Sequence, residues 1–505
     1  MKDYQIKGQQ FDTRRERDVL RYLISTSRGD KIWIGVLLFF VVLGIIGYYR
    51  QLKFGLIVTA MRDYTSWGIY ISNFVFFVAA SLVGSLFSSI LRLNKNEWAR
   101  PLIRVSEMIA VAAIICAAAI IIVDMGRPDR FFYVIKYLRI QSPIIWDVII
   151  IATYLVISLL MLYVSVLPDL AFCRDRLTVI PRWKKRFYKL LAINWENNPK
   201  QRDILAKISL ILAISVLPVA FAIHTITSWL FATTWRPGWD STNLGPYFVS
   251  GAFMTGAAMI IVAMFFIRKH LNLKAYLTDI HFDRMGKLLV LLSLVYLYFN
   301  INEYLGPSFK MVGVEGEHIT ELFVGKYAPM YWLVQVGGLI LPIVLLIIKK
   351  FRKPLPMMVI SMFVIVGAWL KRYLIVIPSL QHPYLPIQGV DESYLHYYPT
   401  WEEWAITISS VAWFLLIVTV LMKLFPVIPI HKESTKGQQR KKKLGRKKNV
   451  NPALMILCFF SLSTIHTFPA YGQEAMQDAH IELAFEEKDD TKMIVATVFD
   501  SVNMP

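Results

Sequence analysis

The chain has 505 residues, of which 56% are hydrophobic and only 18% are charged, and its mean hydropathy is +0.49. Such values exclude an ordinary soluble domain and indicate a membrane protein. The net charge of +20 is also typical of proteins that bind nucleic acid, so the positions of the basic residues have to separate the two classes.

Ten apolar segments follow one another along the chain, and each has about the 20 residues that a helix needs to cross a bilayer. They are too long for barrel strands and lack the alternation of such strands. We predict an all-α polytopic membrane protein whose ten transmembrane helices lie at 32–49, 67–91, 102–124, 145–168, 204–232, 247–267, 285–304, 329–348, 355–378 and 404–425.

The basic residues alternate from one side of the predicted membrane to the other. If the N-terminus is cytoplasmic, the inner segments contain 39 Lys and Arg residues and the outer segments contain 10. Basic residues accumulate on the cytoplasmic side of membrane proteins, so this ratio predicts a cytoplasmic N-terminus. The same distribution explains the net charge of +20, so that nucleic-acid binding is not needed to account for it. The basic inner face is suited to contact with membrane lipid.

Four regions are predicted from these patterns. Residues 1–31 form a polar cytoplasmic arm with no cleavable signal peptide before the first span, and 32–430 form the membrane domain. Residues 431–452 form a basic cytoplasmic segment. The tail, 453–505, resembles a signal peptide followed by an acidic segment. It is interpreted as an eleventh span, as a fusion to the start of an exported protein or as an interfacial helix.

Polar side chains in the predicted spans concentrate near the outer surface. Nine of them lie in six spans: Asn73, Asp124, Asp147, His224, Asn300, Asn302, Glu303, Lys371 and Arg372. The inner halves offer little beyond Arg104, Glu107 and Lys207. Polar groups in lipid are unfavourable unless they serve a function or find a partner. Their coincidence predicts a polar pocket beneath the outer headgroups.

Each of these residues also has a purely structural explanation. An isolated histidine in a span is commonly hydrogen-bonded to a neighbouring helix, and Asp124 and Arg127 stand where a helix leaves the membrane. Lys371 and Arg372 are long enough to extend toward the interface. A purely structural anchor, however, does not require polar groups from six spans on one side.

A quinol fits the predicted pocket, because it combines an apolar tail with a polar head and its oxidation needs proton acceptors. The candidate catalytic residues are Asp124, His224 and Asp147. The candidate quinol-binding residues are Asn73, Arg127, Asn300, Glu303 and Arg372. An alternative function is proton or ion translocation, or transport, through the same residues. That alternative requires a polar path to the inner face.

Redox metals are not predicted in this chain. Of nine histidines only His224 lies well within one of the ten spans, and there is no CxxCH motif for covalent haem. Cys116, Cys173 and Cys458 are too few and too scattered for an iron–sulfur cluster. We therefore expect no haem or cluster here and an electron acceptor on another subunit.

The chain resembles the NrfD/PsrC-like family of polysulfide reductase membrane subunits, which includes two subunits of alternative complex III. The resemblance extends from about residue 64 to 425. The motifs that carry it are "DYTSWGIYISNFVFF", "VDMGRPDRFF" followed by "SPIIWDV", "HTITSWLFATTWRPGWDSTNLGPYFVSGAF", "YFNINEYL" and "WLKRYLIVIPSLQHPYLPIQ".

The resemblance implies two four-helix bundles with flanking helices in a bacterial inner membrane. It also implies a quinol or menaquinol site near the periplasmic face, beneath an iron–sulfur subunit. Molybdopterin-type or multihaem cytochrome c subunits are the further partners of such complexes. By this resemblance Asn73 matches a quinone-contacting Asn, and Phe76, a further candidate quinol-binding residue, stands where some members have a His. This chain has Asp124 where alternative complex III members often read "HMGRP".

These features together predict a quinol-oxidising or quinone-reducing membrane subunit of a respiratory oxidoreductase. It passes electrons to a periplasmic-side iron–sulfur subunit.

Overall fold

The computed structural model describes residues 5–6, 9–10, 13–93, 100–385, 388–389, 394, 396–430, 479–488 and 491–500. The chain divides into two compact units, Met1–Glu433 and Ser434–Pro505. All ten predicted spans are confirmed as helices that are long and apolar enough to cross a membrane. The all-α polytopic class is therefore confirmed.

The described part of the first unit contains a short antiparallel strand pair, Gln5–Ile6 and Gln9–Gln10, and is otherwise built from helices. They are α1 (Arg14–Ile24), α2 (Arg28–Phe54), α3 (Ile69–Leu93), α4 (Arg100–Asp124), α5 (Tyr133–Lys136), α6 (Pro143–Arg176), α7 (Arg182–Leu191), α8 (Pro199–Ala232), α9 (Leu244–His270), α10 (Asp279–Lys310), α11 (Gly313–Phe323), α12 (Ala328–Trp332), α13 (Leu341–Ile347), α14 (Pro354–Gln381) and α15 (Trp401–Leu424). A π-helical segment, Leu333–Ile340, joins α12 to α13 in one continuous span.

Polar residues at the starts of the helices fix where they begin. Ser27 and Thr400 each form a reciprocal capping pair with an acidic residue three positions later, at the starts of α2 and α15. Asn198 caps α8, whose first residue is Pro199. Several helices extend beyond the predicted apolar limits, because charged residues such as Lys and Arg continue a helix readily once it has left the lipid.

The helices pack as two four-helix bundles. In the first bundle, α3, α4, α6 and α8 close a ring of neighbouring contacts. In the second, α9, α10, α14 and the span from α12 to α13 pack together. The bundles meet where α3 and α8 contact α9 and where α3 contacts α14, while α2 and α15 pair beside α4. This arrangement matches the two bundles with flanking helices that the resemblance implies.

The described part of the second unit is a β-hairpin. Its strands, Ala479–Lys488 and Thr491–Asp500, are antiparallel, and Ala479 pairs with Asp500. The predicted basic segment at 431–452 and the apolar part of the tail, 453–470, lie outside the described residues. The three interpretations of the tail remain predictions.

Candidate functional site

A narrow cavity lies between the two bundles, and we call it the interbundle cavity. Its free volume is about 10 Å³, about enough for one water molecule. A ligand the size of a ring therefore displaces side chains on entering. Its lining comes from α3, α8, α9, α10 and α14: Val75, Ala79, His224, Tyr247, Phe248, Gly251, Tyr296, Lys371, Arg372 and Ile375.

His224 is the polar residue that the first bundle contributes to this cavity. It lies eight residues before the outer end of α8, which places it about 12 Å from that end. Its side chain is 1% exposed, and its Nε2 atom has no hydrogen-bond partner among the described residues. A buried ring nitrogen without a partner is unfavourable in a protein interior, and a ligand hydroxyl in the cavity would satisfy it.

The second bundle contributes two buried cations. Lys371 is 1% exposed and Arg372 is 5% exposed. Lys371 donates a hydrogen bond to the Tyr304 hydroxyl, and Arg372 donates to the Ala368 carbonyl at 2.7 Å and the Thr255 hydroxyl at 3.3 Å. Neither cation forms an ion pair with a carboxylate of the described residues. The cavity therefore has a positive wall, where an anionic oxygen would be stabilised.

Tyrosines surround the two cations. Tyr247 and Tyr296 stack with ring centroids 5.2 Å apart, and the Tyr296 hydroxyl donates to that of Tyr247 at 3.1 Å. Tyr247 in turn donates to Asn300 at 2.9 Å. Gly251 makes this packing possible, because a Cβ atom there would lie 2.8 Å from the Tyr296 ring. The Lys371 ammonium also lies 4.3 Å from the centre of the Tyr304 ring, a favourable cation–π distance.

A second cavity lies closer to the predicted outer surface, and we call it the outer cavity. Its free volume is about 30 Å³, and it is lined by Gly238, Leu244, Tyr247, Glu303, Tyr304, Pro307, Glu315, His318, Ile319, Leu374, Ile375 and Ser379. The two cavities share the side chains of Tyr247 and Ile375. Polar groups from α9, α10, α11 and α14 therefore line a nearly continuous region.

Glu303 and His318 differ in what surrounds them. The Glu303 carboxylate accepts hydrogen bonds from Ser241 and Asn243, both at 3.0 Å. Burial, and then the neighbouring His382, lower the pKa of His318 to about 3. His318 therefore stays neutral at physiological pH, and its Nδ1 atom has no hydrogen-bond partner among the described residues.

Four predicted residues meet around Tyr247. His224 and Arg372 line the interbundle cavity, Glu303 lines the outer cavity, and Asn300 is hydrogen-bonded to the Tyr247 hydroxyl. Asn300 also donates to Gln335 at 2.7 Å. The structure thus brings together residues from α8, α10 and α14 that the sequence placed at similar depths.

Two predicted residues of α3 lie within the helix packing. The Asn73 amide donates to Thr407 at 2.8 Å and accepts from the Trp369 indole at 2.7 Å. Phe76 is buried and packs edge-on against Phe77. Neither residue lines the two cavities as described. Asn73 nevertheless joins α3 to α14, the helix that carries both cations.

The three remaining predicted residues are separate from the cavities. Asp147 is buried and accepts a hydrogen bond from Thr227 at 2.7 Å. Asp124 ends α4, and its buried Oδ1 atom has no hydrogen-bond partner among the described residues. Arg127 is exposed and forms a 3.0 Å ion pair with Asp129. Their roles in binding and proton transfer remain predictions.

The expectation that the inner halves carry few polar groups is wrong. Arg104 and Asp169 form a buried ion pair, and Arg92 and Glu107 form a second one at 2.5 Å. Asp169 lay beyond the predicted end of its span, but α6 continues to Arg176 and carries it into the helix packing. Serines on α3 add further polar contacts, and Ser88 donates to Glu107 at 2.6 Å.

Several residues that line the cavities, or that are hydrogen-bonded to the polar groups beside them, were not selected from the sequence. Tyr247, Tyr296, Tyr304 and Gln335 were missed as binding candidates, because tyrosine and glutamine near a span end are typical of an ordinary interface. One signal was present. Tyr296, Asn300 and Glu303 are spaced by four and three residues, which places them on one face of a helix.

Metal-ligating side chains do not gather in the part of the chain that the structure describes. No group of three or more His, Cys, Asp or Glu residues is arranged to hold a metal ion there. Cys116 and Cys173 are buried and free, and Cys458 lies outside the described residues.

The described residues form ten spans, eight of them in two bundles with a polar cavity between the bundles, and this defines a polytopic membrane protein of the all-α class. Residues 57–383 match the family described as "Polysulphide reductase, NrfD", and the chain belongs to this family.

Three relatives span most of the chain. A putative dimethyl sulfoxide reductase membrane subunit of Halobacterium salinarum is 28% identical over 68% of this chain and 74% of that protein. A selenate reductase subunit of Mesobacillus selenatarsenatis is 24% identical, over 80% and 96% respectively. The integral membrane subunit of a menaquinone reductase of Nitratidesulfovibrio vulgaris is 22% identical, over 79% and 92%.

Proposed function

We propose that this chain is the quinol-oxidising or quinone-reducing membrane subunit of a multisubunit respiratory oxidoreductase in a bacterial inner membrane. The observation that carries the proposal is the interbundle cavity. It combines an imidazole on α8, whose Nε2 atom has no partner in the part of the chain that the structure describes, with two buried cations on α14. The relatives are named as subunits of reductases, one of them a menaquinone reductase, which supports the same assignment and favours menaquinone as the substrate.

The lining of the cavity matches the chemistry of a quinol head. Oxidation breaks two O–H bonds and releases two protons and two electrons. His224 presents a ring nitrogen that is able to accept the first proton. Lys371 and Arg372 stabilise the anionic oxygen that this transfer leaves behind. The electrons pass to an acceptor on another subunit, for which we propose an iron–sulfur subunit docked on the periplasmic face. Molybdopterin-type or multihaem cytochrome c subunits complete such a complex.

The proposal is tested in the purified complex by measuring quinol-dependent reduction of the partner subunit's redox centres. We expect His224→Ala to lower turnover at least about tenfold, because a positioned proton acceptor contributes about 10²-fold or more to such a step. His270→Ala is the matched control, since His270 is exposed at the inner end of α9. It should leave turnover unchanged.

Asp124→Asn extends the same test to a second candidate catalytic residue. If Asp124 acts with His224, its loss lowers turnover to a similar degree, while Asp129→Asn at the exposed ion pair does not. Unchanged turnover in both His224→Ala and Asp124→Asn, with normal amounts of assembled complex, would remove the site assignment.

Proton translocation is the second candidate function, and a specific observation favours it. Glu107 is 2% exposed, accepts hydrogen bonds from Ser88 and Arg92, and has a second carboxylate oxygen without a partner among the described residues. Farther along α3 from Ser88, the Ser85 hydroxyl accepts a hydrogen bond from Tyr154 of α6 at 2.9 Å. These polar groups lie in the inner half of the membrane domain, where proton translocation requires a polar path. Val75 and Ala79, however, line the interbundle cavity from α3 with apolar side chains.

A further inference from the structure

We propose that protons released in the interbundle cavity leave through the outer cavity, with Glu303 as the carboxylate that carries them toward the predicted outer surface. This inference rests on the proposed quinol function. It assigns to Glu303 a role in proton transfer rather than in contact with the quinol.

The two cavities are joined by polar groups. Lys371 lines the interbundle cavity and Tyr304 lines the outer cavity, and the two side chains are directly hydrogen-bonded. Tyr247 lines both cavities. A proton therefore has hydrogen-bonding groups across the wall that separates the cavities, where an apolar wall would stop it.

Exposure increases from the interbundle cavity outward. Lys371 is 1% exposed and Glu303 is 8% exposed, whereas Glu315 is partly exposed at the outer side of the second cavity. Glu315 also accepts a hydrogen bond from Tyr384 at 3.0 Å. Glu303 thus lies between a buried donor and a carboxylate that reaches solvent.

His318 is the other titratable side chain that lines the outer cavity, and its environment argues against it as the carrier. Among the described residues no hydrogen bond joins it to Lys371 or Tyr304, the two side chains that bridge the wall between the cavities. The two glutamates are then the residues of this cavity suited to accept and release protons in turn.

Each step moves one proton and no electrons. Lys371 first gives an ammonium proton to the Tyr304 hydroxyl, which passes its own proton to the Glu303 carboxylate. The neutral Lys371 amine then takes up the quinol proton that His224 accepted when the O–H bond broke, and becomes a cation again. Glu303 passes the proton it received to Glu315, which releases it to water outside. The two electrons leave separately to the acceptor subunit of the proposed function.

The variant Glu303→Gln tests the proposed proton exit through the outer cavity in the assembled complex. Its amide oxygen still accepts the hydrogen bonds from Ser241 and Asn243, so folding is preserved. We expect kcat for quinol oxidation to fall about tenfold or more with KM unchanged, because proton release becomes limiting. Added formate or azide, weak acids small enough to enter the cavity, should restore much of the rate. The matched control is Glu317→Gln, an exposed position on α11 that should have no effect.

Three outcomes would contradict the proposed proton exit through Glu303. If wild-type complex oxidises quinol and Glu303→Gln does so equally fast, the exit is wrong and the proposed function stands. If Glu303→Gln raises KM and keeps kcat, Glu303 binds the quinol and does not carry protons. If Glu303→Gln lowers kcat and neither weak acid restores it, the role is structural. Wild-type complex without any quinol turnover would contradict the proposed function itself.

Discussion

At the scale of single residues, burial separates side chains that have found partners from those that have not. Asn73 and Asp147 are buried with their hydrogen bonds formed within the protein. His224 is buried with a free ring nitrogen, and Lys371 and Arg372 are buried without a carboxylate among the described residues. Buried polar groups are usually paired in folded proteins, so the free nitrogen of His224 in the wall of the interbundle cavity indicates where a ligand binds.

A substitution at Glu107 discriminates between the two candidate functions, quinol oxidation and proton translocation. We expect Glu107→Gln to leave quinol turnover within about twofold, because the residue lies in the inner half of α4, far from the proton acceptor at the cavity. The measurement is quinol oxidation together with proton uptake from the inner side in sealed vesicles. Glu196→Gln, exposed in the loop after α7, is the control. Loss of inner proton uptake in Glu107→Gln alone would favour translocation.

At the scale of elements, small residues decide how closely the helices approach. A Cβ atom at Gly367 on α14 would lie 2.7 Å from the Cα of Gly338, in the π-helical segment. A Cβ at Gly84 on α3 would overlap the Ser106 carbonyl oxygen on α4. Small residues at such crossings allow close packing between membrane helices. The helix that carries Lys371 and Arg372 is positioned in this way.

Gly367→Ala tests the crossing of α14 with the π-helical segment. We expect it to destabilise the protein by about 1–3 kcal/mol, since the added methyl group meets backbone that has no room to shift. Gly337→Ala is the matched control, because a Cβ there meets only the Leu333 side chain at 3.5 Å. Thermal unfolding of the purified protein measures both variants. An equal melting temperature for Gly367→Ala and the wild type would contradict the close packing described here.

At the scale of the whole molecule, the distribution of basic residues predicts how the bundles lie in the membrane. The inner segments contain 39 Lys and Arg residues against 10 outside, which favours the outer surface for both cavities. The proposed partner subunit and the proposed proton exit both depend on that orientation.

A topology experiment checks this orientation. A reporter that is active only outside the membrane, fused after Trp239 in the loop between α8 and α9, should be active. The same reporter fused after Lys274, between α9 and α10, should be inactive. The opposite pattern would invert the molecule and place both cavities on the cytoplasmic side.

The number, length and predicted orientation of the spans follow from the sequence itself. The length of each apolar segment and the positions of Lys and Arg are local properties. They can therefore be determined from the sequence without knowing which helices are in contact. The sequence also placed His224, Asn300, Glu303 and Arg372 at similar depths. Depth along a helix is a simple count of residues from its end.

Only the tertiary structure decided which of these residues meet. Depth does not specify the direction in which a side chain points around its helix, and that direction depends on helix packing. Packing turned His224 and Arg372 toward one cavity and left Asp124 and Asp147 outside it. Packing also placed Tyr247, Tyr296 and Tyr304 in the walls of the cavities, where their hydroxyls contact polar groups of other helices. A shared site between bundles is a long-range property, because its walls come from helices far apart in the chain.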